Sequence, residues 1–251
     1  MFDLQKASML KRASAWLLDV ILLSVLATGF ALLLSAAFGY DNYNDNLQRY
    51  YTEYEQLYGI DFNISDEEYL ALGEEDRLRY ADAYAKLNDD ADVSRAFSII
   101  IQLSLAMSLS VLLAYMALEF AVPVWLKNGQ TIGKKIFGLA VMRTDSVRVK
   151  PIAMLIRTLL GKYTIETMAP LLIIFLILFG SLGTVGLIML AALALLQIVL
   201  IAATHTNSAI HDILAQTVVV DMESQMIFDS AREREARRRE YAEADSARWG
   251  Q

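Results

Sequence analysis

Three long apolar runs constrain this chain more than any other feature of its sequence. They cover residues 13–38, 97–125 and 163–203. A helix of about 20 apolar residues crosses the hydrocarbon core of a bilayer. The third run is too long for one crossing, and its glycine-rich stretch FGSLGTVG at 179–186 indicates a turn. We therefore predict four spans, at 13–38, 97–125, 163–179 and 184–203; three spans are the alternative.

Charge is distributed unevenly between these runs. Residues 39–96 contain 15 Asp and Glu against five Lys and Arg, whereas residues 127–162 contain eight Lys and Arg against Asp145 alone. Cytoplasmic flanks of membrane helices carry the excess of Lys and Arg. The basic segment and the N-terminus are therefore predicted to be cytoplasmic, and the acidic loop extracytoplasmic. With four spans the C-terminus also returns to the cytoplasm, as in a multi-pass protein of the bacterial inner membrane.

The first run has a cleaved signal peptide as its alternative interpretation, because small residues follow it at SAAFG, 35–39. Its apolar stretch is longer than the usual signal core of about 7–15 residues and contains Asp19, so we expect a retained span. The chain has no cysteine. This excludes disulfides, thiolate nucleophiles and cysteine metal sites. No phosphate loop or Ser/His/Asp constellation is visible, and we expect no enzyme, no cofactor and no nucleic-acid partner.

The segments outside the spans suggest several smaller elements. SDEE at 65–68 has the form of a helix capping box, and one or two short surface helices are predicted in the acidic loop. DNYNDN at 41–46 does not fit a calcium loop. LAVMR, VRV and TVVVD, at 139–143, 147–149 and 217–221, predict a three-stranded antiparallel sheet on the cytoplasmic side. Pro151 suits the first residue of an interfacial helix. The charged tail indicates a solvated helix or a disordered end.

The predicted organisation is an all-α membrane protein with four transmembrane helices, a small cytoplasmic β-sheet and an acidic helical extracytoplasmic loop. Its parts are a cytoplasmic N-terminus with the first span (1–38), the acidic loop (39–96), the second span (97–126), a basic segment with hairpin and interfacial helix (127–162), the third and fourth spans (163–204), a cytoplasmic motif with a strand (205–221) and a charged tail (222–251).

Ionisable residues inside or beside the spans are the candidates for function, since each costs about 2.5–3.5 kcal/mol near the centre of a membrane helix. Arg12 and Asp19 lie two turns apart on one face of the first span. Asp19, Glu119 and Glu166 are predicted to form a carboxylate cluster near Arg12 and Arg157, able to bind a cation or exchange it for protons. The alternative is that these residues form buried ion pairs that fix helix packing. His205 and His211 have no metal-site spacing, so no metal site is predicted.

Three ordered motifs resemble those of RDD-family membrane proteins. KRASAWLLD carries the Arg-x-x-Ala-x-x-x-Asp pattern through Arg12 and Asp19, and HDILAQTVVVD carries the closing motif through His211 and Asp212. GQTIGKKIFGLAVMRTD is similar to the family segment after the second span, matched by Gly129, Thr131, Gly133 and Lys134. The resemblance implies that Arg12, Asp19 and Asp212 are the arginine and two aspartates for which the family is named.

The resemblance implies transport, with cations as the suggested substrates, and our leading hypothesis is transport of a small ligand or cation, such as Na⁺ or H⁺. Arg12, Asp19 and Asp212 would form the transport site. Eight residues would support it: Glu119, Arg157, Glu166, His211, Gly129, Thr131, Gly133 and Lys134. The expected partners are membrane lipids, a cation or proton as ligand, and further copies of the chain, because four spans are few for a transporter. The alternative is a non-transporting accessory or regulatory protein whose charged residues are structural.

Overall fold

The computed structural model describes residues 6–249. Within them the chain forms ten helices and two strands: α1 Met9–Phe38, α2 Tyr40–Tyr58, α3 Asp66–Ala71, α4 Glu74–Asp89, α5 Ala91–Leu126, α6 Ile132–Ile136, β1 Leu139–Arg143, α7 Pro151–Leu178, α8 Gly183–Ala203, α9 Ile210–Leu214, β2 Thr217–Asp221 and α10 Ala231–Trp249. Two compact units are distinguishable. One contains the residues up to Leu26 together with those from Leu112 onward, and the other is Ala27–Val111.

Four helices of the described chain, α1, α5, α7 and α8, are long and apolar enough to cross a membrane. Their large apolar side chains are widely exposed; Val25 is 68% exposed and Leu178 is 77% exposed. Water would not tolerate apolar surface on this scale, whereas lipid tails cover it. The prediction of an all-α membrane protein with four spans is therefore confirmed.

The turn between the last two spans lies where the glycines predicted it. α7 ends at Leu178 and α8 begins at Gly183, and both Gly180 and Gly183 have positive φ, 71° and 46°. Residues with a Cβ rarely adopt this region, so the glycines allow the chain to reverse within a few residues. The two helices then pack against each other beside Gly186, where an added Cβ would meet the side chain of Ile177.

The third span differs from its predicted start. The helix that begins at Pro151 does not end before residue 163 as a separate interfacial helix, but continues to Leu178. Between Arg157 and Met168 its turns are π-helical, as are those of α5 between Met116 and Ala121. A wider turn keeps the helix continuous while it changes which side chains share a face, and such turns are frequent at functional sites.

The predicted three-stranded sheet has only two strands. β1 and β2 pair antiparallel from Leu139 opposite Asp221 to Arg143 opposite Thr217. The run at 147–149 forms isolated bridges, Arg148 with Met142 and Val147 with Phe228, so the prediction of a third strand was wrong. Both faces of the sheet are buried, one packed on Ala7 and Ala15 and the other on Ile227.

The second unit contains more helix than predicted. Where one or two short helices were expected, α2, α3 and α4 follow one another, and Ser65 caps α3 in the predicted capping box with Glu68. Its core is formed by Leu47, Leu87, Val93 and Ile100, surrounded mainly by tyrosines and Phe62. The acidic residues remain on the outside of this unit.

Candidate functional site

A cavity of about 870 Å³ lies within the first unit, walled by residues of α1, α5, α6, α7, α8 and α9. Much of its wall is apolar, formed by side chains such as Val20, Leu23, Ile165, Leu190 and Leu193. Eight charged or histidine side chains also line it: Arg12, Asp19, Glu119, Lys134, Arg157, Lys162, Glu166 and His211. The cavity therefore collects most of the ionisable residues that the sequence places in or beside the spans.

Asp19 is held by the turn that begins α6. Its Oδ2 accepts a hydrogen bond from the Thr131 hydroxyl at 2.5 Å, and its Oδ1 accepts one from the Gly133 backbone N–H at 2.8 Å. The Lys134 ammonium lies 3.7 Å from Oδ2 and donates to the Thr131 hydroxyl at 3.2 Å. A carboxylate in an apolar helix thus obtains two hydrogen bonds and one cation from a single short segment.

The two glycines of this segment are required because other parts of the backbone approach them closely. Gly133 lies so near α1 that an added Cβ would collide with the Ala15 carbonyl and come within 2.8 Å of the Asp19 carboxylate. Gly129 has φ of 62°, and its Cβ would lie 2.8 Å from the Val141 carbonyl. Thr131 caps α6 by accepting from the Lys134 N–H at 3.3 Å. The binding environment of Asp19 is therefore formed by the motif residues Gly129, Thr131, Gly133 and Lys134.

Lys134 is 7% exposed and lies outside the spanning helices. Burial lowers the pKa of its ammonium to about 8, and the cations of Lys162 and Arg157 act in the same direction, against Glu119 and Asp19. Lys134 is thus a buried amine whose protonation changes within about two pH units of neutrality.

Asp212 is completely buried and lies between two arginines. Its Oδ1 accepts from Arg157 Nη2 at 2.7 Å and from the Thr217 hydroxyl at 3.2 Å, and its Oδ2 lies 3.6 Å from Arg12 Nη2. Burial alone raises the pKa of the Asp212 carboxyl, but Arg157, His211 and Arg12 together hold it below its usual range. Asp212 is therefore ionised, and the arginine of the opening motif and the aspartate of the closing motif lie 3.6 Å apart.

Glu119 and Lys162 form an ion pair between α5 and α7, in the two π-helical segments. The Lys162 ammonium lies 2.5 Å from Glu119 Oε1, and the Thr158 hydroxyl donates to the Glu119 carbonyl at 2.8 Å. Both charged residues are less than 10% exposed. A pair this deeply buried costs desolvation of both charges and is stable because the geometry is close and direct.

Glu166 and His211 form a third pair. His211 Nδ1 lies 2.8 Å from both carboxylate oxygens of Glu166, and the His211 backbone N–H donates to Oε1 at 3.2 Å. Gln197 of α8 donates to the same oxygen at 3.2 Å and accepts from the Ile210 N–H. Burial lowers the pKa of His211 in spite of the nearby Asp212 carboxylate. The start of α9 is thus fastened to two spans.

The predicted carboxylate cluster was wrong. Asp19, Glu119 and Glu166 all line the cavity, but each has its own cationic or histidine partner. Within residues 6–249 no group of three or more His, Asp or Glu side chains is placed to hold a metal ion. Arg12 and Asp19 share a face of α1, yet their partners are different: Asp212 for Arg12, and the start of α6 for Asp19.

Three contacts of this site were not predicted from the sequence. Lys162 pairs with Glu119, Gln197 links Glu166 to α9, and Tyr115 hydrogen-bonds the Thr167 hydroxyl at 2.7 Å. Gln197 had a readable signal, since it is the one amide in an otherwise apolar run. The pairing of Lys162 had none, because it depends on the π-helical turns of α5 and α7.

Fold and site together define a helical membrane protein in which three motifs that lie far apart in the sequence converge on one charged cavity. The chain belongs to the RDD family, whose family model matches residues 6–216. No curated protein matches the chain, and no solved structure does so. The family assignment predicted from the three motifs is confirmed.

Proposed function

We propose that the chain is a membrane transporter of a small charged ligand, which binds in the charged cavity. One observation supports this above the others: eight charged or histidine side chains from five helices line a single cavity of about 870 Å³ in the first unit. Ionisable residues within membrane-spanning helices are costly, and they are found mostly where a ligand or ion path requires them. The proposal contains no enzymatic step.

Exchange of a cation, Na⁺ for example, against a proton is the form of transport that the sequence predicts. Lys134 offers a physical route to it. When the Lys134 ammonium loses its proton, the Asp19 carboxylate keeps two hydrogen bonds but has no cation beside it. A small cation then replaces the lost charge, with the carboxylate and the Thr131 hydroxyl as oxygen ligands. Proton loss at Lys134 and cation uptake at Asp19 are thereby coupled.

The experiment compares ion flux in proteoliposomes of the wild type, Asp19→Asn and Asp221→Asn. Asp221 is the matched control. Like Asp19 it is paired with a lysine, since it lies 2.6 Å from Lys11 of α1, but it does not line the cavity. We expect pH-linked flux for one ion of a panel in the wild type and in Asp221→Asn. Asp19→Asn should lose the flux and keep a normal melting temperature. A wild type without flux across the panel refutes transport.

The second candidate is a non-transporting accessory or regulatory protein. It is favoured by the fact that the ion pairs join different helices, as Glu119–Lys162 does for α5 and α7. Such pairs hold helices in register without any ligand. Under this function Asp19→Asn lowers the melting temperature, and no flux is found in either protein.

We further propose the bacterial inner membrane as the location, with both termini in the cytoplasm. The basic segment 127–162 and the acidic segment 39–96 support this orientation. A homo-oligomer accompanies the transport proposal, because four spans enclose little space for a complete path. Cross-linking in native membranes tests the oligomer, and a monomer that nevertheless transports would contradict it.

A further inference from the structure

Arg157 is the most unusual charged group of the cavity. It is 1% exposed and lines the cavity, yet only its Nη2 has a hydrogen-bond partner, the Asp212 carboxylate. Nε and Nη1 are buried and have no partner among the described residues. A buried polar group without a partner costs about 1–3 kcal/mol, and more when it is charged. Such a group is rare in a native protein and calls for an acceptor.

Asp212 cannot supply the missing acceptors. Its Oδ1 already receives Arg157 Nη2 and the Thr217 hydroxyl, and its Oδ2 receives the Ala209 N–H at 3.3 Å with Arg12 at 3.6 Å. Two guanidinium groups thus share one carboxylate. Together with Asp212, the four cations of the lining (Arg12, Lys134, Arg157 and Lys162) face four carboxylates (Asp19, Glu119, Glu166 and Asp212). An anion is therefore favoured only by the two donors of Arg157 that have no partner among the described residues.

The remainder of the cavity is suited to an apolar group. Residues of three spans form this wall: Val20 and Leu23 of α1, Ile165 and Pro170 of α7, and Leu190, Leu193 and Ile201 of α8. Apolar surface of this kind contributes binding free energy in proportion to the ligand area it covers. The cavity therefore combines a cationic group lacking acceptors with an apolar wall, which is the pattern that an amphiphile requires.

We propose that the cavity binds an anionic lipid, whose phosphate or carboxylate head group supplies the oxygen acceptors for Nε and Nη1 of Arg157 and whose chain lies against the wall formed by α1, α7 and α8. A phosphate or carboxylate carries two or more acceptor oxygens on one group, as two donor nitrogens require. Both nitrogens are shielded from solvent, so binding includes a side-chain shift of Arg157 toward the cavity. This inference does not rest on the proposed function, because the cation there is assigned to Asp19 and the anion here to Arg157.

The test measures lipid binding to the purified full-length protein in detergent micelles by native mass spectrometry. The probes are oleoyl lysophosphatidic acid, oleoyl lysophosphatidylcholine and inorganic phosphate. We expect the wild type to bind the anionic lipid about tenfold more tightly than the zwitterionic lipid of the same chain, the gain from charge-assisted hydrogen bonds. Equal binding of the two lipids overturns the proposal. Displacement of the anionic lipid by equimolar phosphate overturns the lipid as the source of the anion.

Arg157→Lys keeps the positive charge and removes the two open nitrogens, so we expect it to lose this tenfold preference. The matched control is Arg143→Lys, because Arg143 is 38% exposed, pairs with Asp145 and does not line the cavity. An unchanged preference in Arg157→Lys contradicts the proposal, and if that variant does not fold, the comparison of lipids on the wild type still decides. Binding without flux refutes transport alone, whereas ion flux without lipid preference refutes this inference alone.

Discussion

Asp19 illustrates how a single carboxylate is tolerated within an apolar helix. Its side chain is 10% exposed, and its oxygens receive the Thr131 hydroxyl and the Gly133 N–H while the Lys134 ammonium supplies the opposite charge. Hydrogen bonds and a cation together replace the hydration that burial removes. Lys134 is less well stabilised than Asp19, because its buried ammonium has one hydroxyl acceptor and has lost most of its own hydration.

Lys134 gives the first prediction, on pH dependence. Its pKa in the folded protein, about 8, lies below the ordinary lysine value of 10.5. Between these values the unfolded chain binds the proton and the folded chain does not, so rising pH stabilises the fold through this group. Relative to Lys134→Met, the wild type should gain stability from about pH 8 to about pH 10.5, by at most about 3 kcal/mol. Thermal unfolding in micelles across this range measures the difference.

Lys135→Met is the control for this experiment, because Lys135 is the exposed neighbour and its loss reports the general effect of removing a lysine. Below pH 8 Lys134 is charged in both states, and the difference between the wild type and Lys134→Met should be constant. A difference that stays constant through pH 10.5 contradicts the lowered pKa.

At the residue scale, the sequence predicts which residues line the site better than it predicts which residues contact each other. Helical spacing places Arg12 and Asp19 on one face, and this is what the structure has. Their partners lie far along the chain: Asp19 and Thr131 are separated by 112 residues, and Arg12 pairs with Asp212. Local spacing contains no information on such contacts, so it predicts a shared carboxylate cluster in place of the separate ion pairs with Lys134 and Lys162.

At the scale of the element, Gly133 determines how closely the short helix α6 packs against α1. α6 has only five residues, and it reaches Asp19 because Gly133 allows its backbone to touch α1. Gly133→Ala places a methyl group against the Ala15 carbonyl, which belongs to a long helix and cannot move alone. We expect a loss of about 1–3 kcal/mol in stability, the usual cost of overpacking, together with loss of the Asp19 hydrogen bonds. The melting temperature in micelles measures this loss.

Gly29→Ala is the matched control, because Gly29 is a helical glycine of α1 with no atom within 4 Å of an added Cβ. Alanine is favoured over glycine inside a helix by about 1 kcal/mol, so this variant should be neutral or more stable. Equal losses in the two variants would show that the close approach of α6 to α1 is not what requires Gly133.

Some elements of secondary structure are predictable from local sequence, and others are not. The turn at Gly180–Gly183 and the capping box at Ser65 follow from local chemistry and were predicted. The continuous helix from Pro151 was not, because the polar residues 157–162 resemble the end of an interfacial helix until their buried partners are known. In α2, Leu47, Tyr50, Tyr51 and Tyr54 repeat at helical spacing, a signal that the acidic composition concealed.

The whole molecule is organised by the contrast between apolar helices and charged connections. Four candidate spans expose Leu, Ile, Val and Phe side chains to their surroundings, while buried ionisable groups such as Glu119, Arg157 and Lys162 face the cavity or one another. In soluble proteins, by contrast, apolar side chains are buried and charged ones are exposed. The difference follows from the solvent, because lipid tails accept apolar side chains and cannot hydrate charges.

Orientation in the membrane gives the prediction at this scale. Because the chain has no cysteine, single cysteines report accessibility without background. Asn63→Cys lies at an exposed position of the acidic unit, and Glu235→Cys lies at an exposed position of α10. Lysines and arginines favour the cytoplasmic side, so the acidic unit should face outward and α10 inward. In right-side-out spheroplasts, a membrane-impermeant maleimide should label Asn63→Cys at once and Glu235→Cys only after permeabilisation.

The unmodified chain, which should remain unlabelled, is the control for nonspecific reaction. The reverse labelling pattern would place the basic segment outside and overturn the orientation. Simultaneous labelling of both cysteines in intact spheroplasts would require an even number of crossings between them and would contradict the three spans. Residues 63 and 235 are separated by three of the four candidate spans, α5, α7 and α8, so opposite labelling also tests that all three cross the membrane.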